Sequence, residues 1–135
     1  MSADINAHYD AVLALLPVGL QSYKGAVPDL PDFPYVVLWG STGTEDTEAL
    51  SDDPSTLTLP IFATCAGLTF ESVAIAIRDV RTALNRAKPS VAGRACHRMM
   101  QAPQQPIQAD LSITVPGVGH PFYAVDQFTL ISDPA

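Results

Sequence analysis

Three histidines and two cysteines are the side chains here with the strongest claim to chemistry, and their spacing limits what that chemistry can be. Cys96 and His97 are adjacent, so on an extended chain they point to opposite faces, and Cys65 and His120 lie far from both. A structural zinc site draws its ligands from pairs such as C-x-x-C or H-x-x-x-H, and neither spacing occurs. Serine nucleophiles are signalled by G-x-S-x-G, which is absent, and Cys65 falls in an alternating apolar run that would bury it. "PGVGHP" (residues 116–121) contains G-x-G, but no third glycine follows and the next element reads as a strand rather than a helix. It is a turn, with His120 exposed on it. Asp52 and Asp53 lack the spaced oxygen ligands, the glycine and the terminal glutamate of a calcium loop. The expected catalytic, metal and cofactor sites are therefore none, and a structural or interaction protein is expected over an enzyme.

Charge narrows the partners. Fourteen acids against seven bases give a net charge of −7, which argues against a general nucleic-acid binder. Six of the bases (Arg78, Arg81, Arg86, Lys88, Arg94, Arg98) fall in one segment, and five acids (Glu45, Asp46, Glu48, Asp52, Asp53) in another. Either these are two solvated faces, or they are complementary surfaces that meet on neighbouring subunits. No apolar run approaches the roughly 18 residues of a membrane helix, and Met1-Ser2-Ala3-Asp4 lacks a basic-then-apolar signal, so no membrane is expected and synthesis is expected in the cytoplasm. Two cysteines are too few for a disulfide scaffold of this size, so reduced thiols are expected.

The elements that must carry these residues follow from periodicity. Ile5, Tyr9, Val12, Leu13 and Leu16 predict a helix from about Ala3 to Leu16, capped by Ser2 and ended by Pro17 and Gly19. A short strand is expected around Gln21–Lys24. Pro28, Pro31 and Pro34 then stiffen the approach to Tyr35–Trp39, whose unbroken apolar run predicts a strand covered on both faces, with Trp39 in the core. Residues 41–55, rich in Ser, Thr, Gly and acids, read as a long exposed loop. Thr56–Ala66 alternates, with Leu57, Leu59, Ile61, Ala63 and Cys65 on one face, and Pro60 places it at an edge or marks a bulge.

Val73, Ile77, Val80, Leu84 and Ala87 form one stripe of a helix from Phe70 to about Ala87, capped by Thr69, with Arg86 and Lys88 suited to its C-terminal dipole. Arg94–Gln101 reads as a strand, Ala102–Ile107 as an extended connection, Leu111–Val115 as a short strand and Phe122–Ile131 as the last strand. The expected fold is a single α+β domain over residues 1–135, a mostly antiparallel sheet packed by two helices.

"FPYVVLWG" after a helix, the acidic loop, "TLTLPIFATCAG" and "TFESVAIAIRDVRTALN" together resemble the tail terminator (tail completion) proteins of long-tailed bacteriophages. "KPSVAGRACHRMMQAPQQPIQADLSI" and "HPFYAVDQFTLIS" are similar to the C-terminal part of terminators from phages of actinobacteria, so the resemblance spans nearly the whole chain. It implies a virion protein of the tail or neck, forming a homo-oligomeric ring, usually a hexamer, on the head-proximal end of the tail tube. Its implied partners are copies of itself, the tail tube protein and the head–tail connector, with DNA passing through the channel without sequence-specific binding. The family contributes no catalytic residues.

On that footing Glu45, Asp46, Glu48, Asp52 and Asp53 either line the channel, where acids would not hold DNA, or pair with Arg78, Arg81 or Arg94 of a neighbour. An edge at Thr56–Ala66 would offer a second contact, by extending a neighbour's sheet. The alternatives are a head-completion or connector protein of the same virion, or a small cytoplasmic ligand-binding domain or enzyme.

Overall fold

The computed structural model describes residues 3–46 and 56–135. Its elements run α1 (Ile5–Leu13), β1 (Gln21–Lys24), β2 (Tyr35–Gly40), β3 (Thr44–Asp46), β4 (Thr56–Gly67), α2 (Phe70–Leu84), β5 (Arg94–Cys96), β6 (Met100–Ala109) and β7 (Phe122–Pro134). The strands form one sheet in the order β1-β2-β4-β7-β5, with β3 also on β4 and β6 also on β7. Every pairing is antiparallel except β1 with β2. The chain is α+β, as its alternating patterns imply.

Both helices cover the same face. Leu57, Leu59, Ile61, Ala63 and Cys65 of β4 and Ala124, Phe128 and Leu130 of β7 form one core with Tyr9, Val12 and Leu16 from the α1 side and Val73, Ala76, Val80 and Leu84 from α2. α1 starts at Asp4, whose side chain accepts a hydrogen bond from Ala7 N–H at 3.0 Å, so the cap lies later than expected; Ser2 is outside the described residues. α2 begins as expected at Thr69, in a reciprocal cap with Ser72 that is worth about 1 kcal/mol. It stops at Leu84 rather than running on to Ala87, because Arg86 takes a positive φ of 65° and donates its N–H to Met99 O at 2.7 Å.

The proline-rich approach acquires a purpose. β1 and β2 run parallel, so residues 25–34 must carry the chain back along the sheet before β2 starts. Phe33–Pro34 is a cis peptide, and Phe33 and Tyr23 both pack against Tyr35, with ring centroids 5.4 and 5.9 Å away. β2 is covered on both faces from Val36 to Leu38, but Trp39 is not in the core. It is 42% exposed on the helix-free face, tilted against Phe62 with its Nε1 donating to Thr64 Oγ1 at 2.8 Å.

Several expectations are overturned. Thr44–Asp46 is not loop: it pairs with Thr56–Thr58, which gives its backbone groups partners. β4 is not an edge strand, since β2 and β3 flank one side and β7 the other, and it therefore has no free edge to extend a neighbour's sheet. Pro60 is tolerated there because its carbonyl, which accepts from Ser41 Oγ at 3.2 Å, faces the 41–43 gap between β2 and β3. Its nitrogen faces the same gap, so no donor is missing from the ladder with β7. The irregularity it signals lies in the opposite chain. There Gly43 adopts φ 77°, and a Cβ would come within 2.7 Å of Thr58 O.

On the other side of the sheet, Arg94–Gln101 divides into β5 and the start of β6, each paired to a different part of β7. The Pro103–Pro106 stretch is strand rather than connection. It is an edge strand whose register shifts on either side of Gln105, the setting in which proline fits a sheet. Leu111–Val115 is not a strand; the segment turns back on itself, with one bridge between Val115 and Gly119, and Leu111 is exposed because no sheet receives it.

Gly67 ends β4 where the cap of α2 presses closest, and a Cβ there would stand 2.2 Å from Ser72 Oγ. Gly67→Ala is expected to destabilise the fold by about 1–3 kcal/mol through lost capping and overpacking, measured by urea unfolding. An unchanged midpoint would show that the cap does not depend on this contact.

Candidate functional site

The charged residues singled out by the sequence separate into three groups. Glu45 and Asp46 stand exposed on β3, with Ala3 N–H donating to Glu45 Oε1 at 2.6 Å; Glu48, Asp52 and Asp53 lie outside the described residues. Arg81 and Arg94 are engaged within their own chain. Arg81 donates from Nε and Nη2 to the two carboxylate oxygens of Asp126, at 2.7 and 2.9 Å, and Gln101 Nε2 adds a third contact at 3.3 Å. Arg94 donates to Ser132 Oγ and Ser132 O at 2.8 and 2.7 Å. Arg78 is exposed beside Asp79 at 3.2 Å. Among the described residues, Asp46 forms no ion pair with Arg78 or Arg81.

Asp126 is the functional-looking residue that the expectations missed. It lies in phase with Ala124, Phe128 and Leu130 on the buried face of β7 and is only 2% exposed. A carboxylate there must be paired or be expelled. The signal was present in the alternation of "AVDQFTL", where an acid occupies a core position. Its partner came from the flank of the α2 stripe. The carboxylate in turn holds the proton more firmly on Arg81.

A second buried network ties α1 to the end of β7. His8 is fully buried, its Nδ1 2.6 Å from Asp4 O and its Nε2 2.8 Å from Ser132 Oγ. The consistent assignment has Nδ1–H donating to the carbonyl and Ser132 Oγ–H donating to Nε2, while Arg94 Nε–H donates to Ser132. A serine beside a histidine has the form of a nucleophile pair, yet both side chains are wholly enclosed, so no substrate reaches them. Cys65 is equally inert: burial, with the Asp126 charge adding to it, pushes its thiol up to about 12.

At the sheet edge, Asp133 accepts from Thr56 Oγ1 and pairs with His97 Nε2, both at 2.5 Å, and those two contacts in that order hold its carboxyl below the usual range. His120 is exposed as expected, with Nδ1 2.6 Å from Ile113 O. Among the described residues, no three His, Cys, Asp or Glu side chains gather as a metal would require.

Two grooves remain. One, of about 790 Å³, runs between α2 and β6 and is floored by the Arg81–Asp126 pair, which neutralises itself. The other, of about 460 Å³, lies between the proline-rich approach and the 113–116 turn and is lined mainly by apolar groups such as Val27, Leu30, Phe33 and Ile113. Neither presents an accessible nucleophile beside a base.

No protein family matches the chain, and no curated protein is similar to it in sequence. A solved structure does match in fold: a chain of the "Virion of native gene transfer agent (GTA) particle" superposes with a TM-score of 0.56, over 97% of this chain and 96% of that one, at 17% identity. The fold is therefore shared from end to end with a chain of that particle.

Two outcomes test the networks. Arg81→Ala leaves a buried carboxylate without its main cation and is expected to cost roughly 2–4 kcal/mol, the half-exposed arginine placing it toward the lower side of buried pairs. Arg81→Met with Asp126→Leu should recover most of that loss in the same denaturation assay, whereas equal damage in both variants would show that the pair matters only through its packing. Because Asp133 has a depressed pKa, its contribution is fully present above its ordinary value of 3.8 and is lost as pH falls through the lower folded value. Wild type should thus exceed Asp133→Asn in stability at pH 6 and converge with it in strong acid; a gap that persists at both ends would contradict this.

Proposed function

We propose that this chain is a structural subunit of a phage-like virion and, within it, the protein that caps the head-proximal end of the tail tube. The observation that carries the reading is the end-to-end likeness of fold to a chain of a gene transfer agent virion particle. Its narrowing to the tube end rests on the terminator-like motifs, which span nearly the whole chain from "FPYVVLWG" to "HPFYAVDQFTLIS".

The physical properties suit that role. The buried polar groups (His8, Asp126 and Ser132) serve to lock helices onto the sheet rather than to meet a substrate. A net charge of −7 leaves the subunit with little affinity for DNA passing by it. As a ring, usually of six copies in the family it resembles, the protein would halt addition of tube subunits on one side and present a joint to the head connector on the other, without a reaction or a cofactor.

Mixing the purified protein with polymerising tube subunits of the same particle tests this by electron microscopy. Tubes capped at one end and arrested in length are expected. Tubes that lengthen unaffected, with added density only on isolated connectors, would move the chain to the head side of the neck.

A further inference from the structure

At the end of the sheet where β2 and β7 start, large apolar side chains stand in solvent. Leu30 is 94% exposed and Leu111 75%, and Phe70, Ile113 and Val118 are each about half exposed. Leu30 and Ile113 lie on the two walls of the apolar groove of about 460 Å³, which Val27, Phe33, Leu68 and Val115 also line. A single exposed apolar residue needs no explanation, but several beside one groove mark an interaction site.

Both walls are set before anything binds. Pro28, Pro31 and Pro34 restrict one of them, and Phe33 packs on Tyr35, which also lines the groove. The other wall is tied to itself. Asp110 N–H donates to Pro121 O at 2.8 Å, Val115 N–H to Gly119 O at 2.7 Å, and His120 Nδ1 lies 2.6 Å from Ile113 O. A ligand entering such a groove has little chain to order.

The charges on these two segments have one sign. Residues 25–35 and 110–123 hold Asp29, Asp32 and Asp110 and no Lys or Arg, with His120 their one basic side chain. Among the described residues none of the three aspartates forms an ion pair, and Asp29 itself lines the groove. Burial, and then the Asp110 charge, push the Tyr35 phenol up, which sets that carboxylate near the groove as well. We propose that the groove docks an extended segment of another protein: one apolar side chain enters between Leu30 and Ile113, and flanking Lys or Arg residues face the aspartates. The space admits an anchor side chain and a short stretch of backbone, whereas a helix about 10 Å across is too wide. A second copy of this chain is the poorer fit. Among the described residues, Met100 is its only exposed large apolar side chain with a Lys or Arg within two positions, and Met100 is held in β6 against β7. The contact does not depend on tube capping, since the free subunit already presents the groove.

Titration of the methyl-labelled full chain with short synthetic peptides, followed by NMR, tests this. The probe carries a central leucine flanked by arginines; one control replaces the flanks with glutamates, the other replaces the leucine with glycine. Millimolar arginine-flanked peptide should shift the methyl signals of Val27, Leu30, Ile113 and Val115, and either replacement should weaken binding by at least about tenfold. Asp29→Lys combined with Asp32→Lys should reverse the preference for flanks. Both side chains are exposed, so the fold is kept, and unmoved signals from core methyls such as Val12 and Leu59 verify it. Peptides that leave the groove methyls unmoved, or that bind equally well with either flank, would overturn the proposal. The same shifts on concentrating the protein without peptide would give the groove to a second copy and overturn it too. No tube enters these readouts, so a chain that caps tubes yet ignores the peptides keeps its proposed role and loses this site.

Discussion

The pairing of β4 with β7 is the constraint on which the other elements depend. It runs without interruption from Leu57 opposite Ser132 to Gly67 opposite Phe122, and every other strand except β1 is attached to one of these two. Because side chains alternate with a period of two, a slip of one residue would turn Leu57, Leu59, Ile61, Phe128 and Leu130 out of the core. The same slip would carry Asp126 away from Arg81 and Ser132 away from His8. The two buried polar contacts therefore act on register as well as on stability, since each helix reaches its partner only when the ladder is in phase.

From that ladder follows the division of the molecule into a helical face and an open one. α1 and α2 bury the apolar half of β4 and β7, while the threonines of β4, with Phe62 and Trp39, remain on the face without helices. At the periphery lie two three-residue strands, β3 with Glu45 and Asp46 and β5 with Arg94, and the longer β6 with its prolines. A domain that commits its histidine, serine and buried aspartate to internal bonds and its charge to its edges is suited to assembly. Its fold is shared with a chain of a gene transfer agent virion particle.

Much of this was legible in the sequence wherever a long element buried one face. The alternation of β4 identified its core residues, and the stripe of α2 identified Val73, Val80 and Leu84 but missed Ala76, while Ile77 and Ala87 are only partly buried. Pro60 misled, since a proline signals a missing donor but not which neighbour would have received it; the gap at residues 41–43 supplies the answer only in three dimensions. The three-residue strands β3 and β5 are too short to show a period, and Thr44–Asp46 has the composition of a loop. Trp39 ends an apolar run without sharing its burial, because β2 outruns the cover over that face. Among the site residues, the sequence grouped acids and arginines by segment. It could not show that Arg81 and Arg94 have partners within the subunit, whereas Arg86, Lys88 and Arg98 are exposed and form no ion pair among the described residues.

The most direct test of the proposed role is a cryo-electron microscopy reconstruction of the neck of the intact particle that carries this chain, at a resolution that separates strands. The account predicts density for the β4–β7 sheet and its two helices, repeated around the axis in a single ring seated on the last layer of the tail tube. Density for this fold on the head side of the connector, or a purified particle from which the chain is missing by mass spectrometry, would contradict it.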